Sequence, residues 1–121
     1  MTGISAGEPD HPGAAADAEF WMEEHPAQAG RTRLDLIGEL DVAGTDQLHR
    51  RLEALAERDE PVLLDLRRLQ FIDSTGLGEL VRALSDARRD GRILEIDATL
   101  SPQVRQLIDL LELQAILWPA S

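Results

Sequence analysis

The chain has 121 residues and a formal net charge of −11, with 43% hydrophobic but only 3% aromatic residues. This length suits one domain, whose core must be built mainly from Leu, Val, Ile and Ala. The negative charge disfavours nucleic acid as a partner, and the absence of Cys and Lys excludes thiol chemistry and lysine-dependent phosphate or Schiff-base sites.

The N-terminal residues differ from the rest of the chain. Residues 1–17 are Gly, Ala, Pro and acidic residues without apolar periodicity, so we expect a disordered tail before a domain over residues 18–121. No basic stretch followed by an apolar run opens the chain. The longest apolar segment, residues 107–117, carries Asp109 and Glu112. We therefore expect a cytoplasmic protein without membrane insertion.

Strand signals recur along the remaining sequence. A first strand is predicted over residues 19–24 and a second over residues 31–37, with a turn over residues 25–30 between them. Short apolar runs at residues 62–66 and 93–96 are typical of strands covered by helices. The pattern predicts a mixed, mostly parallel sheet of four to five strands.

Three amphipathic helices are predicted between and after these strands. The first begins near Thr45, and the second ends at Gly91 in a left-handed conformation. The third has Ser101 as its N-cap and Pro102 as its first helical residue. The expected apolar faces are Leu48, Leu52, Leu55 and Ala56; Leu77, Leu80, Val81, Leu84 and Ala87; and Val104, Leu107, Ile108 and Leu111. Alternating strands and helices predict an α/β domain with helices packed on the sheet.

The segment Asp73-Ser74-Thr75-Gly76-Leu77 leads from a buried stretch into the second helix. Function in α/β sheets concentrates in loops beyond the strand ends. A single Ser or Thr there would be explained as a helix cap. Helix capping alone does not explain two adjacent hydroxyls flanked by Asp73 and Gly76, and this arrangement indicates a functional site. We expect Gly76 to keep the first turn accessible and Leu77 to return the chain to the core, so that a hydroxyl is presented to a kinase.

Three motifs follow one another along the chain. The first is Gly38-Glu39-Leu40-Asp41, and the second is Val62-Leu63-Leu64-Asp65-Leu66 followed by Leu69 and Phe71-Ile72-Asp73-Ser74-Thr75-Gly76-Leu77. The third is Ser101-Pro102-x-Val104-Arg105-x-Leu107. Together they resemble the STAS family, and within it the single-domain anti-sigma factor antagonists. The resemblance covers residues 19–118. Two features depart from it: Leu110-Leu111 stands where many relatives have Thr-Gly, and the acidic N-terminal extension exceeds the family minimum.

The resemblance implies a STAS-like single domain that binds an anti-sigma factor serine kinase and so frees a sigma factor. The kinase would phosphorylate Ser74, with Thr75 as the second choice, and a serine phosphatase would reverse the modification. ATP would belong to the kinase, so this chain would be neither an enzyme nor a cofactor-binding protein. The implied partner-binding residues are Asp41, Asp73, Ser74, Thr75, Gly76 and Leu77.

Other functions stay open. A STAS subunit of a phospholipid-transport ABC complex, or a stressosome-type scaffold component, would share the fold. A catalytic Ser74 is disfavoured because Ile72 replaces the first Gly of a nucleophile elbow. Gly76-x-Gly78 is similar to part of a dinucleotide motif, but Val81 stands where its third Gly or Ala belongs. No paired spacing of acidic residues predicts a metal site.

Overall fold

The computed structural model describes residues 19–119, so the tail predicted over residues 1–17 lies outside the described residues. Within that range helices are interspersed among strands, as predicted, and a strand over residues 69–72 and a short helix over residues 114–117 are present in addition to the predicted elements. The elements are β1 Phe20–Gln28, β2 Arg31–Leu40, α1 Val42–Glu57, β3 Val62–Asp65, β4 Leu69–Ile72, α2 Ser74–Arg89, β5 Leu94–Ile96, α3 Pro102–Leu110 and α4 Gln114–Leu117. No helix among these residues is long and apolar enough to cross a membrane.

Strand β2 organises the five-stranded sheet. β1 pairs with it antiparallel on one side, while β3 and β4 pair with it in parallel, β3 along its first half and β4 along its end. β5 extends the sheet in parallel beside β3. The mixed, mostly parallel α/β sheet is therefore confirmed. Because β2 to β5 are parallel, their carboxyl ends share one edge of the sheet, which we call the carboxyl edge, and α1, α2 and α3 all follow strands that end there.

The core consists largely of leucine, as the low aromatic content required. Apolar side chains from all four helices join those of the strands in one buried cluster. The helix residues buried in it include Leu48, Leu52 and Leu55 of α1, Leu77, Leu80, Ala83 and Leu84 of α2, and Val104 and Ile108 of α3. Leu111, predicted on the face of the third helix, is 46% exposed because α3 ends at Leu110.

The first hairpin differs from the prediction over residues 25–30. β1 continues to Gln28, and only Ala29 and Gly30 form the turn, with positive φ angles of 53° and 80°. Two left-handed residues suit the twist of a tight hairpin. Pro26, whose presence favoured a turn, lies where the register shifts between His25 and Gln28. An edge strand tolerates proline at such an irregularity.

Helix α1 begins at Val42, earlier than the Thr45 start predicted from the apolar spacing. The end of α2 is as predicted: Gly91 has φ 72°, and the amide of Arg92 donates to the carbonyl of Ala87 at 2.8 Å. Ser101 caps α3 as predicted, and its hydroxyl also donates to the carbonyl of Leu69 at 2.7 Å. This bond fixes the start of α3 against β4.

Candidate functional site

Two helices begin side by side at the carboxyl edge. Leu40 and Ile72 are register partners at the ends of β2 and β4, and the amide of Asp73 donates to the carbonyl of Leu40 at 3.2 Å. The residue after each strand is an aspartate, Asp41 before α1 and Asp73 before α2. The structure therefore brings together the two acidic residues that the sequence separates by a helix and two strands.

Asp41 and Asp73 cap their helices in the same way. The carboxylate of Asp41 accepts from the amide of Gly44 at 3.1 Å, and that of Asp73 accepts from the amide of Gly76 at 3.0 Å. Each bond satisfies one of the amides that a helix N-terminus leaves without a partner. The same four-residue pattern, Asp-x-x-Gly, thus starts both helices.

Gly76 is buried, which corrects the expectation that it keeps the first turn accessible. A Cβ atom at this position would lie 2.9 Å from Leu40 Cγ and from Ile72 Cγ1. Glycine is needed here because α2 sits directly on the ends of two paired strands. Gly44 has a similar role in α1, where a Cβ atom would lie 2.9 Å from Phe20 Cγ.

The two adjacent hydroxyls at the start of α2, those of Ser74 and Thr75, differ in their contacts. Thr75 Oγ1 donates to Asp73 Oδ1 at 2.5 Å. This bond, helped by the amide of Gly76, holds the pKa of the Asp73 carboxyl below its usual value and keeps it ionised. Ser74 is exposed as the first residue of α2, and its hydroxyl has no hydrogen-bond partner within residues 19–119. Of these two hydroxyls, Ser74 presents the uncommitted one.

Leu77 does not belong to the exposed surface. Its side chain is 2% exposed and packs in the core, which corrects its assignment as a partner-contacting residue. Two apolar side chains that the sequence interpretation missed are exposed instead, Val42 at 67% and Phe71 at 45%. The sequence pattern could have predicted both exposures. Val42 follows a capping aspartate and lies outside the apolar period of α1, and strand alternation places the Phe71 side chain on the opposite face of the sheet from Ile72.

Comparison with known proteins decides the family. A family model described as "Mlab, STAS domain" matches residues 24–118. The chain belongs to the STAS-domain family. An anti-sigma-B factor antagonist of Bacillus subtilis (strain 168) is 29% identical to this STAS domain over 85 residues, which cover 70% of the chain and 77% of that relative.

Solved structures share the fold of this STAS domain. An anti-sigma factor antagonist from Mycobacterium paratuberculosis superposes with a TM-score of 0.64 at 20% identity, covering 86% of this chain and 87% of that one. The Bacillus cell fate determinant SpoIIAA in its phosphorylated form superposes with a TM-score of 0.61 at 17% identity, covering 84% and 92% of the two chains. These matches confirm the α/β architecture.

The histidines of the STAS domain contact carboxylates away from Ser74. His49 Nδ1 lies 3.1 Å from Glu79 Oε2, between α1 and α2, and His25 Nε2 lies 3.2 Å from Asp35 Oδ2. His11, the third histidine, lies outside the described residues. Neither described histidine hydrogen-bonds to Ser74, so the described residues offer this hydroxyl no imidazole base.

Two surface clefts of about 380 and 470 Å³ lie elsewhere on the STAS domain. Arg92, Ile93 and Leu94 line both of them, and Ser74 lines neither. A hydroxyl acting as a nucleophile on a small molecule needs an adjoining pocket that positions the substrate. These clefts do not provide one for Ser74.

One group of side chains has the composition of a metal site. Ligand atoms of Glu23, His25 and Asp35 lie within 4.8 Å of one another, because β1–β2 pairing places Glu23 opposite Asp35. Arginines already neutralise these carboxylates. Arg68 Nη1 lies 3.0 Å from Glu23 Oε1, and Arg33 Nε lies 2.9 Å from Asp35 Oδ1. The contacts explain the cluster as an ion-pair network.

Proposed function

We propose that this STAS domain is an anti-sigma factor antagonist that binds an anti-sigma factor serine kinase while Ser74 is unphosphorylated. Phosphorylation of Ser74 ends the binding, and a serine phosphatase restores it. The named role of the Bacillus subtilis relative supports the antagonist class. The observation that carries the site is the exposed Ser74 hydroxyl, which has no partner among the described residues.

Thr75 is the less suitable acceptor, although it is also exposed. Its hydroxyl donates to Asp73, and the same carboxylate oxygen accepts from the amide of Gly76. A phosphate on Thr75 would remove this donor and set its charge against the capping carboxylate. Modification of Ser74 leaves both bonds to Asp73 in place, so the start of α2 is preserved.

A phosphate on Ser74 would be compatible with the fold of this protein but incompatible with its complex with the kinase. The N-terminus of α2 offers a positive dipole end, which tolerates an anion. The phosphate adds about −1.5 to −2 charges beside Asp41 and Asp73. Two like charges 4 Å apart repel by about 1 kcal/mol in water and about 4 kcal/mol near a protein surface. A hundredfold loss of affinity requires only about 2.7 kcal/mol.

The chain acts as the substrate and regulator, while the kinase holds ATP. This assignment agrees with the absence of a histidine contact to Ser74 among residues 19–119. It also agrees with an exposed hydroxyl on a helix start, which a second protein can approach from solvent.

Phosphorylation in vitro tests the proposal. The purified protein is incubated with ATP and with each small histidine-kinase-like serine kinase from the same genome, and the product is mapped by mass spectrometry. We expect one phosphate, on Ser74, with one of these kinases. The Ser74→Ala variant should accept none, whereas Thr75→Ala and the exposed helix control Ser85→Ala should still be modified.

Two results would contradict the proposal. Phosphate that persists in Ser74→Ala would show that the acceptor is wrong. Absence of phosphorylation by all the kinases, together with co-purification of an ABC transporter subunit, would favour the transport alternative.

A further inference from the structure

We infer that the open edge of β5, with the cleft beside it, binds an extended peptide segment of a partner protein that carries an acidic side chain. This site is separate from the Ser74 surface and goes beyond the proposed function. We call it the β5 cleft. It is the surface cleft of about 470 Å³ whose lining includes Leu84, Arg88, Ile93, Leu94 and Trp118.

The backbone of β5 is open on one side. β5 is the last strand in the order β1-β2-β3-β5, and no other strand within residues 19–119 pairs with it. On the β3 side, the carbonyl of Ile93 accepts from the amide of Val62 at 3.0 Å. The amide of Asp97 donates to the carbonyl of Leu64 at 2.8 Å. Because successive residues of a strand direct their backbone groups to alternate sides, the N–H and C=O of Leu94 face outward, where another strand can pair with them.

Trp118 closes one end of this edge. Its indole Nε1 donates to the carbonyl of Ile96 at 2.7 Å, and Pro119 beside it also lines the cleft. This contact protects the end of β5 from pairing. Leu94, two residues earlier, lies in the lining of the cleft. The open part of the edge is therefore short, and the surrounding side chains must supply much of the affinity.

Apolar side chains border the edge on both faces of the sheet. α2 contributes Leu84 and Ala87 from the core side. β3 contributes Leu63, which strand alternation places on the face opposite to the buried Leu64. Ile93, which is 53% exposed, adds a further apolar side chain. A cleft that reaches both faces of an edge strand suits an extended peptide, whose side chains alternate between the two faces.

Arg88 gives the cleft an unpaired positive charge. All twelve basic residues of the chain are arginines. Ten of them contact a carboxylate, and Arg105 donates to the carbonyl of Ala98. Within the part of the chain that the structure describes, Arg88 alone has neither a hydrogen bond nor an ion pair. In a chain with a formal charge of −11, this guanidinium is available to a carboxylate of a ligand.

The other charged side chains of the cleft are already neutralised. Arg92 Nη2 lies 3.3 Å from Asp90 Oδ2, and Glu95 is paired with Arg31. Arg88 is therefore the uncompensated charge of this surface. An acidic side chain of the peptide complements it, while apolar side chains fill the rest of the cleft.

The β5 cleft lies at the opposite end of α2 from the proposed phosphorylation site. Ser74 is the first residue of α2 and Arg88 lies in its last turn. A rise of about 1.5 Å per residue puts them about 20 Å apart along the helix. A peptide in the β5 cleft would therefore leave the Ser74 surface free, and the charge on Ser74 should not affect its binding.

Selection from a peptide library tests the inference. A random dodecapeptide library displayed on phage is selected on the immobilised full-length protein, and the enriched peptides are synthesised. We expect them to share a short apolar stretch with an Asp or Glu. Binding of one such peptide should slow hydrogen exchange of the Leu94 amide, since strand addition gives this outward N–H an acceptor.

Two matched variants test the role of the unpaired charge. Arg88→Gln should weaken binding of the selected peptide about tenfold in fluorescence polarisation. Arg89→Gln removes the same charge from the same turn of α2, but Arg89 does not line the β5 cleft, so this control should bind like the wild type. Replacing the acidic residue of the peptide with its amide should weaken binding to the wild type equally and leave binding to Arg88→Gln unchanged.

Four outcomes would overturn the inference. They are a selection without enriched peptides, equal binding by Arg88→Gln and the wild type, unchanged exchange at Leu94, and a dimer in gel filtration that Arg88→Gln separates. The last would show that a second copy of the chain occupies the cleft. Ser74→Asp should bind the selected peptide like the wild type, so failure of the proposed phosphorylation would leave this site untouched. Loss of peptide binding in Ser74→Asp would place the peptide at the Ser74 surface and would also contradict the inference.

Discussion

The starts of α1 and α2 have the same capping arrangement. Each has an aspartate N-cap and a glycine three residues later, with carboxylate-to-amide bonds of 3.1 and 3.0 Å. They differ at the two positions between, which are Val42-Ala43 in α1 and Ser74-Thr75 in α2. The backbone therefore starts both helices in the same way, and the two starts differ in the side chains that they present.

The two starts also differ in what lies beneath them. The glycine of α1 faces the ring of Phe20, in the edge strand β1, whereas Gly76 of α2 faces Leu40 and Ile72, which belong to two paired parallel strands. α2 is therefore tied more directly to the centre of the sheet. A rigid base of this kind would allow the proposed phosphorylation of Ser74 without a change of fold.

The largest expected effect comes from giving α2 a permanent charge. Ser74→Asp should weaken kinase binding about thirtyfold, or about 2 kcal/mol, because an added carboxylate beside Asp41 and Asp73 must be desolvated against the partner. Unfolding temperature should not fall, since an acidic side chain is favourable in the first turn of a helix. Titration calorimetry and thermal melts measure the two quantities. Ser85→Asp, on an exposed position of the same helix, is the control and should bind normally.

The second largest effect is expected from adding one methyl group beneath each helix start. Gly76→Ala should lower the free energy of unfolding by about 1.5 kcal/mol, because the new Cβ overlaps Leu40 and Ile72 in a packed core. Gly44→Ala should cost less, since the Phe20 ring can shift. Gly78→Ala, where nothing lies within 4 Å, should instead stabilise by up to about 1 kcal/mol. Urea unfolding measures all three, and equal effects for Gly76→Ala and Gly78→Ala would show that the close packing is wrong.

Removing the caps should affect both helices alike. Asp41→Ala and Asp73→Ala should each lower the free energy of unfolding by about 1 kcal/mol, because each leaves a helix amide without its acceptor. The asparagine variants should retain most of the stability. Urea unfolding at neutral pH measures these values. A cost confined to one of the two alanine variants would contradict the equivalence of the helix starts.

The smallest effect concerns the Thr75 hydroxyl. Thr75→Val should raise the pKa of Asp73 toward its ordinary value, because the Thr75 hydroxyl is the main group that lowers it. The lowered pKa favours the folded state above the pKa of the unfolded chain, and this benefit is lost as the pH falls through the folded pKa. As the pH falls, Thr75→Val should therefore lose this stabilisation completely at a higher pH than the wild type does. NMR titration of the Asp73 carboxyl measures the shift, and an unchanged pKa would contradict the assigned hydrogen bond.

Much of the fold was predictable from local signals. The leucine spacing in α1 and α2 identified their buried faces, and Gly91 marked the end of α2. Ser101-Pro102 located the start of α3. These signals are local because capping and helical periodicity act within a few residues.

Features that depend on distant partners were not predictable. β4 has only four residues, and its identity as a strand depends on pairing with β2. The bulge that accommodates Pro26 likewise depends on the opposite strand. At the candidate site, the sequence located Asp73 and Ser74 at the start of the second helix, but the burial of Gly76 follows from packing against Leu40 and Ile72.

The role of Ser74 phosphorylation is measured by the affinity of one kinase for two forms of this protein. The protein is prepared unphosphorylated and stoichiometrically phosphorylated on Ser74, and each form is titrated into the same ADP-loaded kinase. We expect the phosphorylated form to bind about a hundredfold more weakly, a difference of about 2.7 kcal/mol. Dissociation constants within threefold of each other would contradict it.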